Sequence, residues 1–575
     1  MAPLSVQIKH AGKVYDVQLD PDLPPAVFKD AVYQATGVPV DRMKVMVKGG
    51  VLKDDSSWKK IGPKAGQSFM VIGAPGELPK PPTKPTVFLE DMDDAELAEA
   101  LAKPVGLRNL GNTCYMSASV QALRAIPELQ LALSAPSLQS ATPLPGALRD
   151  LYATMSRTTD SITPMSFLST LRQVNPQFAE MDRGSKVPGM AGGYAQQDAE
   201  ECFGQIINTL RNVPGLSADS SSLSPSEQAS TNPKKFVEQY LMGEMRRELT
   251  CDEASTEEAS VTHENVLKIE CNINVSTNFM LTGIMNSLDQ KVEKRSPTLG
   301  REAVYSQKSR LTRLPGYLVV HMVRFAWRQD IQKKAKIMRK VKFPLEFDAL
   351  DLATDDLKAK LLPASRKLKE LEKERAERRK VRKRTKNAPP AATSAAASAT
   401  VASTDVEMGD ATGIATVDAP TGEATLEKGK QIAGAELEDE SVYRTKEREE
   451  LEALISEDVK HDTGASVSGL YDLVAIITHK GAAADAGHYI GFVKKSVFHA
   501  SKIASAHPTS PADAAGAGIS APSGSTLIEL DEDDEDWYKF DDEKVSIFPK
   551  EKLSTLDGGG EDSSAYVLVY KSKSI

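Results

Sequence analysis

Between Pro75 and Pro85 the chain carries five prolines and few large apolar side chains, and a stretch of that composition neither extends a helix nor pairs inside a sheet. Proline fixes its own φ, lacks an N–H and pushes its neighbour towards extended backbone. The segment therefore reads as an extended linker, and it divides the chain into a short unit over residues 4–73 and a long one over 105–572, with residues 74–104 between them. At 575 residues the chain is several times a typical domain of roughly 100–200 residues, so more than one folded unit is expected.

Residues 4–9 (LSVQIK) and 14–19 (VYDVQL) alternate apolar and polar around a turn containing Gly12, the pattern of a hairpin with one buried face. Val27, Ala31, Val32 and Ala35 then recur at helical spacing, and Gly37-Val38-Pro39 stops that segment. Residues 43–47 (MKVMV) and 69–72 (FMVI) supply two further strands, giving the order ββαββ. That order and its spacings resemble ubiquitin over residues 4–73, which implies a ubiquitin-like β-grasp domain. The segment runs on through Gly73-Ala74-Pro75-Gly76 without a terminal Gly-Gly carboxylate to conjugate, so the resemblance implies a docking role. In the third strand Val45 and Val47 are expected inward, leaving Met46 outward between Lys44 and Lys48 as the candidate docking residue.

Charge and cysteine usage narrow the classes. With 71 Lys+Arg against 80 Asp+Glu and a net charge of −9, the chain lacks the concentrated basic surface that phosphate contacts need, and no nucleic acid is expected. The N-terminus MAPLSVQIKH has no apolar signal core, and no run approaches the roughly 18 apolar residues that would span a bilayer. A cytoplasmic and nuclear location, with no membrane contact, is the expectation. The four cysteines, Cys114, Cys202, Cys251 and Cys271, form no CxxC pair, so reduced thiols are expected, with no metal and no cofactor.

From about Leu107 to Tyr570 periodic apolar segments return, interrupted twice. The stretch from about 364 to 441 opens with a charged run containing KLKELEKERAERRKVRKR and passes into an Ala/Thr/Ser-rich tract, expected to be a solvated helix followed by disorder. The stretch from 501 to 536 is rich in Ala, Ser, Gly and Pro and ends in DEDDED. Both read as disordered insertions within one domain, because strand patterns resume after each. The basic run reads either as a solvated helix face, the commoner case, or as a nuclear-import or acidic-partner site.

A cysteine nucleophile needs a nearby histidine to hold and return the proton, a group that orients the histidine, and donors for the oxyanion. In GLRNLGNTCYMSASVQAL, residues 106–123, loop-forming Gly and Asn precede Cys114, and Met116, Val120 and Leu123 follow at helical spacing. Cys114 is thus expected at a helix N-terminus, where the macrodipole and open N–H groups favour a thiolate. A cysteine so placed is more often a small buried hydrophobe; the rest of the chain is what raises the catalytic reading. Residues 471–493, YDLVAIITHKGAAADAGHYIGFV, read as strand, loop and strand, with His488 at the start of the second strand. His479 lacks that Gly-His-Tyr context and reads as a packing residue, and Cys202 in EECFGQII reads as core. In WYKFDDEKVSIF, residues 537–548, either Asp541 or Asp542 can orient the imidazole. Adjacent strand residues face opposite sides, so only one of them does, and spacing does not choose.

GLRNLGNTCYM resembles the Cys box of the ubiquitin-specific proteases, and HKGAAADAGHY and WYKFDD resemble their His box. GYAQQDAEE (193–201) is similar to a third motif of that family, and LVVHMVRFAW (318–327) to the strand preceding the His box. Together with the N-terminal domain, the FLEDM segment (88–92) and the lack of CxxC pairs, these motifs are most similar to the proteasome-associated branch of the family. The resemblance implies an α+β, papain-like catalytic domain of thumb, palm and fingers that cuts ubiquitin from its conjugates. It implies Cys114 as nucleophile, His488 as general base and later acid, Asp541 as orienting carboxylate and Asn109 as oxyanion donor. It also implies that Asp198 binds the backbone of the ubiquitin tail and that Tyr489 lines the channel over its glycines, against plainer roles as a cap and a core aromatic. Ubiquitin, ubiquitinated proteins and the 26S proteasome regulatory particle are the implied partners. The competing reading is a catalytically weak or inactive module that binds ubiquitin or docks at the proteasome.

Overall fold

The computed structural model describes residues 3–73, 92–138, 143–181, 193–216, 234–387, 439–499 and 534–573, apart from short gaps at 49, 55, 102, 136–137, 331 and 484–485. The chain divides into two compact units, residues 1–88 and 89–575.

The first unit is a sheet in the order β2-β1-β5-β3-β4, built from β1 (Leu4–His10), β2 (Lys13–Leu19), β3 (Lys44–Val47), β4 (Gly50–Val51) and β5 (Ser68–Ile72), with a helix Pro25–Thr36 on one face. Alternation sorts the strands: Val6, Ile8, Val17, Leu19, Val45, Phe69 and Val71 are buried, and their neighbours face outward. The helix begins at a proline, where no intrahelical N–H is needed, and ends on Gly37 at φ 72. Its buried stripe passes through Phe28 and Val32, not Val27, which is 46% exposed. A short helix Trp58–Ile61, not expected from periodicity, sends Trp58 into the core, where its indole N–H donates to the Leu23 carbonyl at 2.9 Å.

In the second unit the chain forms a helix at Asp94–Leu101, inside the stretch read as linker, and Thr159 donates to the Asp94 carboxylate at 2.8 Å. An antiparallel sheet in the order β7-β6-β10-β9 consists of β6 (Gly243–Cys251), β7 (Ser260–Val266), β9 (Asp289–Arg295) and β10 (Glu302–Arg313). A larger sheet runs β18-β17-β16-β15-β19-β11-β8. Its strands are β8 (Ile269–Asn272), β11 (Tyr317–Val323), β15 (Leu470–Ala483), β16 (Ala486–Lys494), β17 (Trp537–Asp541), β18 (Lys544–Phe548) and β19 (Ser564–Ser572). β12 (Phe325–Arg328), β13 (Lys333–Lys336) and β14 (Glu346–Asp348) pair off its flank.

Central strands of this sheet are apolar on both faces because both are covered. On β11, Tyr317 and Val319 join a core shared with the helices, whereas Leu318, Val320 and Met322 join a second core behind the sheet. The helix Cys114–Leu123, buried along its whole length, lies against β16, where Gly491 leaves room for the backbone of Ala118. Ser119 on that helix donates to the Ala199 carbonyl at 3.1 Å and so joins it to the helix Ala199–Thr209.

The first insertion corrects the sequence reading. Asp355–Asn387 is one continuous helix, and Glu440–Leu454 returns along it. Leu368 and Leu371 are buried with Leu451 and Leu470, and Arg375, Arg378 and Arg382 pair with Glu447 and Glu440. Part of the basic run therefore packs on a partner helix instead of facing solvent. The disorder expected over the rest of the first insertion, and over 501–536 short of Asp534, lies outside the described residues.

Candidate active site

Cys114 opens its helix, 2% exposed. The loop ahead of it is organised around Asn109, whose Oδ1 accepts from the backbone N–H groups of Gly111 (2.9 Å) and Thr113 (3.3 Å). Two consecutive residues with positive φ, Gly111 at 92° and Asn112 at 52°, turn the chain into the helix, conformations that suit glycine and asparagine. Thr113, at the N-cap position, makes no side-chain cap, so the first-turn N–H groups are not closed off by a side chain. Cys114 Sγ accepts from Gln196 Nε2 at 3.3 Å and from the Tyr489 backbone N–H at 3.5 Å.

His488 stands on β16, and Gly487 before it has φ 151°; a Cβ there would lie 2.5 Å from His479 Nε2 and from the Lys480 carbonyl. Pairing of β16 with β17 sets Gly491 opposite Phe540 and brings Asp541 to the imidazole: His488 Nε2 and Asp541 Oδ1 are 2.6 Å apart. With Nε2 so used, Nδ1 is the nitrogen left for Cys114. The hydrogen bond to Cys114, and after it the one to Asp541, outweigh burial and raise the His488 pKa to about 9. Burial pushes the Asp541 carboxyl up, but hydrogen bonds from His488 and from Lys539, at 3.1 Å, hold it below its ordinary range.

The next residue faces elsewhere. Asp542, at φ 50°, accepts from Asn109 Nδ2 at 2.8 Å, and its carbonyl accepts from the Leu107 N–H at 3.0 Å. Gly106 permits that approach, since a Cβ would sit 2.3 Å from the Glu543 carbonyl. Burial raises the Asp542 carboxyl above its usual value. Of the two acids that spacing left open, Asp541 is the one on the histidine.

Asp198 caps the helix Ala199–Thr209: Oδ1 accepts from Glu200 N–H at 2.7 Å, and Oδ2 accepts from the Tyr566 hydroxyl at 2.6 Å. With Glu200, His321, Phe325, Lys334 and Tyr566 it lines a cavity of about 740 Å³. The Tyr489 ring is 1% exposed and packs against His479 at 4.8 Å. The plainer core role therefore describes that ring, and only the Tyr489 backbone N–H reaches the sulfur. His479 is likewise buried, between Phe325 and Tyr489, and burial lowers its pKa to about 4. Sequence reasoning missed Gln196, Lys539, Tyr566 and the Asp542 contact. Tyr566 and Asp542 meet their partners across 368 and 433 residues, and no periodicity marks such distant neighbours.

A thiol at a helix start, an imidazole within its reach and a carboxylate on the far side of that imidazole define a cysteine hydrolase of the acyl-transfer type. Residues 105–570 match the Ubiquitin carboxyl-terminal hydrolase family, and residues 6–75 match the Ubiquitin family. The chain is 36% identical over 573 residues to Ubiquitin carboxyl-terminal hydrolase 6 of Schizosaccharomyces pombe, covering 100% of this chain and 99% of that protein. It is 28% identical to Ubiquitin carboxyl-terminal hydrolase 14 of Caenorhabditis elegans, over 99% of this chain and 94% of that one. It also aligns with a chain of the solved SAGA Ubp8/Sgf11/Sus1/Sgf73 DUB module bound to ubiquitin aldehyde, at 15% identity and a TM-score of 0.43, covering 84% of this chain and 71% of that one. The chain belongs to the ubiquitin carboxyl-terminal hydrolase family and is a thiol-dependent deubiquitinating hydrolase with an N-terminal ubiquitin-like domain.

Proposed function

We propose that Cys114, His488 and Asp541 carry the hydrolysis of the bond after ubiquitin's C-terminal glycine, and that the N-terminal domain docks the enzyme on the proteasome regulatory particle in the cytoplasm and nucleus. The observation that carries the catalytic part is the 2.6 Å hydrogen bond between His488 Nε2 and Asp541 Oδ1, with Cys114 near enough to the same imidazole to raise its pKa. In this reading the Cys114 sulfur attacks the glycine carbonyl, and His488 hands its proton to the leaving lysine amine. His488 then takes a proton from water, which releases the acyl group from the thioester. Asp541 keeps the imidazole oriented and its positive charge compensated. Asn109 contributes to the oxyanion site: its Nδ2 carries two N–H bonds, and Asp542 uses one.

The cavity beside Asp198 is assigned to the ubiquitin tail, because Asp198 lies two residues from Gln196, which touches Sγ. There Asp198 acts from the cavity wall, and Tyr489 contributes its backbone in place of its ring. Cys114→Ala tests the assignment: turnover of a ubiquitin C-terminal amide should vanish while ubiquitin binding persists, and retained turnover would sink it. Labelling of Cys114 by a C-terminally electrophilic ubiquitin excludes the inactive-module reading.

Docking rests on an exposed apolar patch. Met46 pairs with Met70 on β5 and with Val51 on β4, and the three are 36%, 57% and 44% exposed. Ile72, 52% exposed, continues the same face, and exposed apolar residues grouped in this way suit a protein partner. Met46→Asp should reduce proteasome co-purification while leaving hydrolysis of the ubiquitin amide by the free enzyme intact; undiminished co-purification refutes the docking role.

A further inference from the structure

Cys114 Sγ is approached from two sides by N–H donors. One is the Tyr489 backbone N–H on β16, and the other is the Gln196 side-chain amide, at 3.3 Å. A thiol sulfur is a weak acceptor, and a half-buried glutamine gains little from being aimed at one unless charge develops there. The segment that carries Gln196 is fastened at both ends. Upstream, the Tyr194 carbonyl accepts from Asn112 Nδ2 at 2.9 Å, the Ala195 N–H donates to the Glu180 carbonyl at 2.9 Å, and the Arg172 guanidinium lies 3.4 Å from the centre of the Tyr194 ring. Downstream, Asp198 is locked by the helix cap and by Tyr566. Asn112 belongs to the loop that delivers Cys114, so the glutamine and the cysteine are held to one frame. The other side-chain amide in that loop, Asn109, already spends Oδ1 on the loop and one N–H on Asp542.

We propose that Gln196 is a further catalytic residue, whose side-chain N–H steadies the negative charge first on Cys114 Sγ and then on the carbonyl oxygen that the sulfur attacks. As the S–C bond forms, the carbonyl π pair moves to oxygen, two bonds from the sulfur. The Gln196 amide, with two N–H bonds on one nitrogen, follows that charge by a small rotation and transfers no proton. The inference rests on Cys114 being the nucleophile, and it adds to the same site a donor from the GYAQQDAEE segment.

The test uses the full chain and two variants of similar size, Gln196→Glu and Gln196→Leu, with Cys114→Ala alongside. Both Gln196 variants should lower kcat for a ubiquitin C-terminal amide on the order of 10²-fold, the usual cost of removing one oxyanion donor, with KM little changed. They should also weaken inhibition by ubiquitin aldehyde, which forms a tetrahedral adduct on the sulfur, at least tenfold, while the Kd for unmodified ubiquitin stays put. A merely structural glutamine would change the aldehyde and the unmodified ubiquitin alike. If both variants keep kcat and aldehyde affinity, Gln196 has no catalytic part. If Cys114→Ala itself turns over substrate, it is the nucleophile assignment that fails.

Discussion

Asp542 Oδ2 accepts a hydrogen bond from Asn109 Nδ2 at 2.8 Å, tying the loop ahead of Cys114 to the turn just after Asp541. Two adjacent acids thereby hold two different parts of one site. Asp541→Asn should cost kcat about 10²-fold or more, the range of acid–base contributions, because the imidazole loses its orienting charge. Asp542→Ala should act through Asn109, so adding it to Asn109→Ala should cost little further. A double-mutant cycle on kcat checks this, and fully additive losses would separate the two residues.

The raised His488 pKa sets the alkaline limb of activity. Above about pH 9 the imidazolium that must protonate the leaving amine is lost, so kcat/KM should fall there. Asp541 is one of the groups that raise this pKa, and Asp541→Asn should move the limb to lower pH. The same linkage affects stability: with the folded value above the ordinary 6.5, the His488 contribution is complete below pH 6.5 and is lost as pH rises through about 9. A pH profile of kcat/KM whose alkaline limb is identical in the wild type and Asp541→Asn would contradict this account.

Local patterns made much of this molecule legible. The hairpin of β1 and β2, the helix start at Cys114 and the two strands around His488 each depend on spacing within a few residues, which a sequence displays directly. What depended on distant register stayed hidden. The choice of Asp541 over Asp542 follows from how β17 lies beside β16 and from the left-handed turn at Asp542. Gln196 meets Cys114 across 82 residues. The helix Asp355–Asn387 looked solvated because its own composition is charged; the surface that buries Leu368 and Leu371 comes from Leu451 and Leu470, far along the chain. Val27 misled in the opposite sense, since helical spacing fits more than one stripe when apolar residues are adjacent, and Phe28 takes the core.

His479 should make the enzyme acid-sensitive. Among the described residues neither ring nitrogen has a hydrogen-bond partner, and burial lowers its pKa to about 4 from an ordinary 6.5. The unfolded chain therefore binds a proton that the folded chain refuses, so this contribution is whole above pH 6.5 and is lost as pH falls towards 4. The slope is up to about 1.4 kcal/mol per pH unit for one proton. His479→Phe keeps a flat ring between Phe325 and Tyr489 and should flatten the fall of the denaturation midpoint between pH 6.5 and 4; an unchanged slope would remove His479 as its cause.

The return helix Glu440–Leu454 should be held by charge as much as by apolar contact. Arg378 and Glu447 pair at 8% and 5% exposure, and Arg375 Nε reaches the other Glu447 oxygen at 2.7 Å. Removing one member of such a pair leaves a charge buried without its counterpart, a cost of about 3–5 kcal/mol, whereas apolar replacement of both ends is often neutral. Glu447→Ala should therefore speed amide hydrogen exchange over residues 440–454 on the order of 10²-fold or more. In a chain carrying Arg375→Leu, Arg378→Met and Glu447→Leu together, protection should return towards the wild-type level. If the triple variant exchanges as fast as Glu447→Ala, the charge network contributes attraction beyond its own burial cost, and the apolar cluster of Leu368, Leu371 and Leu451 is insufficient to keep the two helices together.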